Sequence, residues 1–469
     1  MFDRRTLLKL AGSAAAVAST SPASSAHRAR LRCTTTQPNF IHICADDVRN
    51  SDVKVMPNLR AYLRDPGILF GKHMTPFTLC APSRAGILTG LEPHNHGILK
   101  DKGSGGYNGY QHLEDNALPV WLTAAGYYVG HIGKFINQYD KIAPDHIPPG
   151  YADWRAMSCD FSKYKNFTLN ENGTQVSYDQ GQYTTDVFVQ KALDFIASAP
   201  QPFALFFWPN ACHWPAIPDD ADVGTFDHVD MPIYPNFNEA DVSDKPRFIR
   251  KLPLLSRKKI AKVKHRWRTR SECLQSLDRG IATLVTALRT SGLLANTHVM
   301  YTSDNGFIDG EHRVSRGKDL LYEEAAGVPL FWRQPSGYAD ECHQVVSNID
   351  VTATMVDLSG ATAGRILDGT SMTPLLGNVT APWKSATLLQ SSRCVGIATD
   401  NYRYILWNRT QEVELYDMSI DKFQLDNKAG VAEYQEIQQA CAAALQSLTG
   451  CAGDTCAWTG NFPPPPKEG

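Results

Sequence analysis

The segment Cys80-Ala81-Pro82-Ser83-Arg84 puts a nucleophile, a helix-starting proline and a guanidinium within one short stretch. Proline suits the first turn of a helix, so Cys80 is expected where a loop enters one. A helix start offers free N–H groups and a partial positive charge. That setting attracts anions and is expected to make a thiol more reactive. Arg84, one turn further on, can point its planar fork at an oxyanion. Taken alone, the segment reads as an anion site with a nucleophile. Polar groups also recur just past four apolar runs: Asp46-Asp47 after 40–45, Gly133-Lys134 after 127–132, His213 after 203–208 and Asp304-Asn305 after 298–303. One acid pair would be an ordinary solvated turn. Two acidic motifs at two strand ends point to a metal site instead.

Groups so far apart in sequence need a scaffold that gathers them. From Pro38 onward, short apolar runs alternate with helical patterns, the signature of an α/β fold with a mostly parallel sheet flanked by helices. Ligands of such sheets bind at the carboxyl ends of the strands. Residues 256–290 read as a long helix with a basic first half, and 328–332 as another strand. From about Trp383 a smaller region follows, with short alternating segments at 402–407 and 412–416 and a helical pattern over 429–448. The Pro-rich end, 461–469, is expected to fray.

The chain has 469 residues, 46 basic and 48 acidic, for a net charge of −2. Hydrophobic residues make up 43%, so the chain is not of the disordered class. The near-neutral balance argues against a nucleic-acid binder. Beyond the N-terminus no apolar run reaches the ~20 residues of a membrane span. Residues 1–26 read as an export signal, with Arg4 and Arg5 opening it, an apolar stretch after them and Ser24-Ser25-Ala26 as a cleavage site. The run Asp3 to Lys9 resembles a twin-arginine signal but departs from it at Asp3 and Leu7; an ordinary secretory signal holding two arginines is the alternative. Either places the protein outside the cytoplasm, periplasmic or secreted. There are 11 cysteines, an odd number that leaves one unpaired if the others pair. Cys451 and Cys456 are spaced for a local bridge. No CxxC or paired-histidine spacing supports zinc. Asn-x-Thr triplets begin at Asn166, Asn172, Asn378 and Asn408.

The run Cys80 to Gly90 follows the pattern C-x-P-S-R-x-x-x-L-T-G and so resembles the signature of the sulfatases, within the alkaline phosphatase-like superfamily. In that family the signature cysteine is oxidised by a formylglycine-generating enzyme to an aldehyde that hydrates to a geminal diol. The resemblance implies this fate for Cys80, which would explain why it takes no disulfide partner. Asp46 and Asp47 match the family's metal-binding aspartates, and Ser303-Asp304-Asn305-Gly306 matches its S-D-[HN]-G. The implied shell of Asp46, Asp47, Asp304, Asn305 and the oxygen of modified residue 80 is all oxygen. It suits one calcium per chain, with magnesium possible. Residues 126–134 resemble the second signature, in which Lys134 contacts diol and sulfate. His213 lies where the family places a sulfate-binding histidine, and Lys318, with Tyr322 and Glu323, matches K-x-x-x-[YW]-E. His312 resembles the substrate-side histidine of a G-E-H found in many members.

Gly133-Lys134-Phe135-Ile136-Asn137-Gln138-Tyr139 departs from the common pattern, which has histidine where Ile136 stands. It resembles the G-K-Y-L-N-E-Y of N-acetylglucosamine-6-sulfatases and heparan endosulfatases, and leaves Asn137 as a polar substrate contact and the base of the second step open. Residues 148–154, 164–173 and Arg266-Trp267 resemble the same branch. The implied layout is a catalytic domain over 36–380, a small C-terminal antiparallel subdomain over 381–456 and a tail over 457–469.

The implied reaction is sulfate ester hydrolysis of sulfated sugars, including glycosaminoglycans, or of aryl sulfates. The residue-80 diol acts as nucleophile, and Arg84, Lys134, His213 and Lys318 balance the sulfuryl charge. Two other classes stay open: a phosphate or phosphonate ester hydrolase of the same superfamily, and a non-catalytic sulfated-glycan-binding protein. The twelve Lys and Arg between 245 and 270 form either a solvated surface or a patch for a polyanionic glycan.

Overall fold

The computed structural model describes residues 37–466. The export-signal reading, Cys33 and the last three residues of the tail lie outside that range. Ten strands make one sheet: β1 Asn39–Ala45, β2 Ile68–Met74, β3 Tyr128–Gly133, β4 Asp153–Met157, β5 Phe167–Glu171, β6 Thr174–Tyr178, β7 Phe203–Trp208, β8 Thr297–Ser303, β9 Leu330–Arg333 and β10 Asp340–Ser347. Their order is β10-β2-β9-β8-β1-β7-β3-β4-β5-β6. The run β8-β1-β7-β3-β4 is parallel throughout, while β9 is antiparallel to both its neighbours, as is β5 to its own. The central strands of the parallel part are buried along their whole length and so do not alternate apolar with polar. NFIHICA of β1 and FALFFW of β7 are buried at every position.

The long helix Arg257–Thr290 starts at Ser256, whose side chain accepts from the Lys259 N–H. Val263, Trp267, Leu274, Leu277, Ile281, Leu284 and Leu288 recur at helical spacing and are buried. The basic stretch is not one uniform patch. Lys245 is buried against Glu239 and Asp244, Arg266 against Asp309, and Arg270 against Asp52.

A second sheet of β11 Ala386–Gln390, β12 Cys394–Thr399, β13 Tyr402–Trp407 and β14 Val413–Asp417 is an antiparallel meander. Its strands alternate faces. Tyr402 and Tyr404 pack with the helix Gln435–Leu448, while Ile405 and Trp407 pack with Leu320, Leu321 and Tyr322 of the larger part.

Two expectations are corrected. The tail does not fray at its start: Tyr402 Oη donates to the Pro463 carbonyl (2.8 Å) and Phe462 packs on the small sheet's apolar cluster. The cysteines do not pair throughout. Cys451 and Cys456 are bonded, but Cys44, Cys80, Cys159, Cys212, Cys273, Cys342, Cys394 and Cys441 are free. Most are buried core residues, where a thiol packs as a small hydrophobe. Among the described residues no helix is long and apolar enough to cross a membrane.

Candidate active site

Three loops leave the carboxyl ends of β1, β7 and β8 and are tied to one another by backbone bonds. Asp46 N–H donates to Ala211 O and Cys212 N–H to Asp46 O, both at 3.0 Å. Asp304 N–H donates to Ala45 O (3.2 Å), and Val48 N–H to Ser303 Oγ (2.9 Å). Asp47 sits at φ 63°, a left-handed conformation that aspartate tolerates better than most residues. Its N–H donates to Asp304 Oδ1 at 3.2 Å. At the end of β3, Gly133 has φ 112°, and a Cβ there would lie 2.2 Å from Trp208 O; glycine alone allows the turn that delivers Lys134.

Cys80 opens the buried helix Cys80–Thr89. Its Sγ lies 3.5 Å from Asp46 Oδ1, 3.9 Å from Asp47 Oδ1 and 2.8 Å from Lys318 Nζ. Arg84 is fully buried. Its Nε donates to Asp304 Oδ2 (2.8 Å) and Nη1 to Lys134 O (2.8 Å), Nη2 stands 3.7 Å from Asp46 Oδ2 with no hydrogen bond, and the guanidinium lies 5.2 Å from the centre of the Trp208 ring. Lys134 Nζ donates to Asp46 Oδ2 (2.5 Å), and Lys318 Nζ to Asp47 Oδ1 (2.5 Å) and Asn305 Oδ1 (3.3 Å). Asn305 Nδ2 donates to Asp47 Oδ1 (2.7 Å), which fixes the amide orientation. A ring nitrogen of His213 lies within 4.8 Å of Cys80 Sγ and of an Asp46 oxygen, and its Nδ1 is buried without a partner.

Asp46, Asp47 and Asp304 thus face Arg84, Lys134 and Lys318, three charges against three. Burial alone would raise the Asp47 carboxyl, but Lys318, His213 and Lys134 hold it below its usual range. Burial is likewise overcome at Asp304 by Arg84, Lys134 and Lys318. Burial opposes the charge of Lys134 and Lys318 too, yet Asp46 and Asp47 respectively keep both ammonium groups charged, with pKa values above the usual range. His213 is pushed down by burial, against the pull of Asp46 and Asp47. One expectation fails here. The Cys80 thiol is not activated: burial and then Asp304 push it well above its ordinary value. The helix-start N–H of Ala81 is taken by Asp101 Oδ1 at 2.9 Å, so that donor is not free to favour a thiolate.

One ligand atom from each of Asp46, Asp47, Cys80 and Asp304 lies within 4.8 Å of the others. Three carboxylates with the Asn305 amide oxygen beside them form a donor set for a divalent metal, and oxygen donors favour a hard one.

Nine of the eleven sequence-derived residues converge here, counting Asp46, Asp47, Cys80, Arg84, Lys134, His213, Asp304, Asn305 and Lys318. Two do not. His312 is fully buried, its Nδ1 2.6 Å from Glu239 Oε2 and its ring stacked on Tyr322 at 4.1 Å. Asn137 offers its carbonyl to the Tyr107 N–H (2.8 Å), and its amide oxygen is buried with no partner. Three contributors carried no sequence signal of their own. Asp101 holds the helix start, Trp208 lies under Arg84, and Thr75 has its hydroxyl 2.7 Å from Asp304 O and 3.0 Å from Ser83 Oγ.

Comparison with known proteins identifies the family and the fold. A family model described as Sulfatase matches residues 38–361, and one described as N-sulphoglucosamine sulphohydrolase, C-terminal, matches 310–450. The N-acetylglucosamine-6-sulfatase of Homo sapiens is 30% identical over 491 residues, covering 92% of this chain and 88% of that protein. A putative extracellular sulfatase Sulf-1 homolog of Caenorhabditis elegans is 30% identical over 79% of this chain, which spans about half (54%) of that relative's length. A solved structure in complex with its substrate D-glucosamine-2-N,6-O-disulfate superposes with a TM-score of 0.77, at 24% identity, over 87% of this chain and 97% of that one. That likeness establishes the fold.

Proposed function

The chain belongs to the sulfatase family, and from that premise we propose that it is a sulfuric ester hydrolase of the N-acetylglucosamine-6-sulfatase type, releasing inorganic sulfate from sulfated sugars of glycosaminoglycan kind, with aryl sulfates as model substrates. The observation that carries this is the seat of Cys80, whose Sγ stands between Asp46, Asp47 and Lys318 at the mutual edge of three strands.

Position 80 is formylglycine in the working enzyme, made by a formylglycine-generating enzyme; its hydrate supplies one hydroxyl to accept the sulfuryl group and another to expel it. The buried, unactivated thiol supports this, because a cysteine so placed is a poor nucleophile as it stands. Asp46, Asp47, Asp304 and Asn305 would hold a divalent metal. A bound calcium would supply fixed positive charge that lowers the pKa of a neighbouring hydroxyl.

The rest falls to the chain's own side chains. Lys318, 2.8 Å from the position-80 heteroatom, stabilises negative charge there, and Lys134 does so from the Asp46 side. Arg84 orients Asp304 and Lys134 O and presents its free Nη2 toward Asp46. His213, with its Nδ1 buried and unpartnered beside Cys80 and Asp46, is placed to hydrogen-bond an oxygen of the bound ester. The cluster is balanced with three charges of each sign, so a divalent cation gives it the positive surplus that an ester sulfate complements. The polar contact at Asn137 and the substrate-side role of His312 belong to this reading only if substrate binding opens their present packing. Export through residues 1–26, by the twin-arginine route, gives the chain access to extracellular glycans.

The test is peptide mass spectrometry across residue 80 of protein from the native host, paired with turnover of an aryl sulfate and its aryl phosphate counterpart. An aldehyde at 80 with sulfate preferred is the expected result. A thiol at 80 in fully active protein overturns the mechanism, and preference for phosphate assigns the chain to phosphoryl chemistry.

A further inference from the structure

Away from Cys80, a cleft of about 570 Å³ opens where two turns of the small sheet meet the short helix Arg247–Arg250. Arg247, Lys251, Arg393 and Arg409 line it, with Phe248, Trp407, Ser392, Asn408 and Thr410, and no carboxylate does. Phe248 and Trp407 pack at 5.6 Å, and the Arg393 guanidinium stands 4.8 Å over Phe248. The two acids nearby are already engaged. Glu412 accepts from the Arg247 N–H and from Arg250 Nη2, all at 3.0 Å. Asp319 accepts from Ser392 N–H (2.7 Å) and its hydroxyl, and stands 3.7 Å from Arg393 Nε. The side-chain charges of Arg247, Lys251 and Arg409 have no ion pair among the described residues. Elsewhere in the basic stretch Lys245, Arg266 and Arg270 are neutralised by buried acids.

The cleft is joined to the reaction centre by a short path of one peptide link and two hydrogen bonds. Asp319, which anchors Ser392 at the cleft's rim, directly follows Lys318, whose Nζ touches Cys80 Sγ. Summed side-chain and backbone reach puts that rim within about 20 Å of residue 80, a span that an oligosaccharide covers. Unpaired cations in a cleft that also holds aromatic rings suit the anionic groups and ring faces of a charged sugar chain.

We propose that this cleft holds sulfate or carboxylate groups of a polymeric glycan while an ester elsewhere on the same chain is hydrolysed at residue 80. The proposal rests on the sulfatase reading above and adds a polymer-binding subsite to it. The test uses the full, calcium-loaded enzyme and the triple variant Arg247→Glu, Lys251→Glu, Arg409→Glu. Substrates are an aryl sulfate and heparin, with released sulfate measured; retention on heparin resin and on a non-sulfated uronate polymer is measured beside it. The expected result is a KM for heparin about tenfold higher, elution from heparin at lower salt and a shallower salt dependence, with aryl sulfate kcat/KM within about twofold. Retention of the wild type by the non-sulfated polymer assigns the cleft to carboxylates; retention by heparin alone assigns it to sulfates. Unchanged heparin KM and elution, with normal aryl sulfate turnover, overturn the cleft and leave the sulfatase reading intact. If the wild type releases no sulfate from either substrate, that reading fails, and a fall in heparin elution salt still upholds the cleft. Should the triple variant fold poorly, Lys251→Gln with Arg409→Gln reads the same shift at smaller size.

Discussion

Around Cys80 every formal charge faces an opposite one at close range; in the cleft beside the small sheet, Arg247, Lys251 and Arg409 stand exposed with no ion pair among the described residues. Burial explains the difference. Charges withdrawn from water must be compensated or they neutralise, whereas exposed ones are solvated and can wait for a ligand. The first region should therefore be rigid, costly to alter and indifferent to salt. The second should be tolerant of substitution and sensitive to salt.

The largest effect expected is at residue 80. Cys80→Ala should lower turnover by on the order of 10³-fold or more, and Cys80→Ser should take up sulfate once and stall, seen as a sulfated intact mass. Steady multiple turnover by the serine variant would break the two-hydroxyl argument. Next is Arg84→Leu, which removes the direct partner of buried Asp304 and should cost about 3–5 kcal/mol in denaturant unfolding. Arg409→Leu in the cleft should change stability by under about 0.5 kcal/mol. Equal costs would erase the contrast. Lys318→Ala should reduce kcat on an aryl sulfate by about 10²–10³-fold, an effect that rate measurements on folded protein separate from stability.

Acid provides a further test of how buried groups behave. Burial pushes His42, His73 and His131 down to about 3 each. The unfolded chain takes up protons near pH 6.5 and the native state refuses them, so stability is full above about 6.5 and falls as pH drops toward 3. Each histidine should contribute a loss of about 1.4 kcal/mol per pH unit in that window, read by thermal unfolding of wild type against His131→Phe. A wild type equally stable at pH 7 and 5 would contradict it. The smallest effect is salt: between 50 and 200 mM, aryl sulfate kcat/KM should move by less than about twofold, since the paired interior charges are poorly screened.

Much of the reaction centre was legible before any coordinates, because its residues sit in contiguous loops directly after apolar strands. Residues 203–208 read as a strand and are β7; Asp46-Asp47 after 40–45 and Asp304-Asn305 after 298–303 follow β1 and β8, which lie side by side and parallel. Parallel pairing of buried strands puts such loop residues on one edge, whatever their separation in sequence. The positions of His312 and Asn137 were not legible in the same way, since local motif similarity says nothing about Glu239 or Tyr322 closing over a histidine.

Residue types, their spacing and the period of apolar runs were enough to determine the strands whose ends carry the site, the helix at Cys80 and the identity of the charges around it. What each charge pairs with, whether the thiol is activated, which cysteines bond and how segments near 247, 393 and 409 enclose one cleft were decided only by tertiary structure. Those outcomes depend on distance and on exclusion of water, both set by contacts between segments up to hundreds of residues apart. No local pattern in a chain encodes the dielectric surroundings that its folded neighbours create.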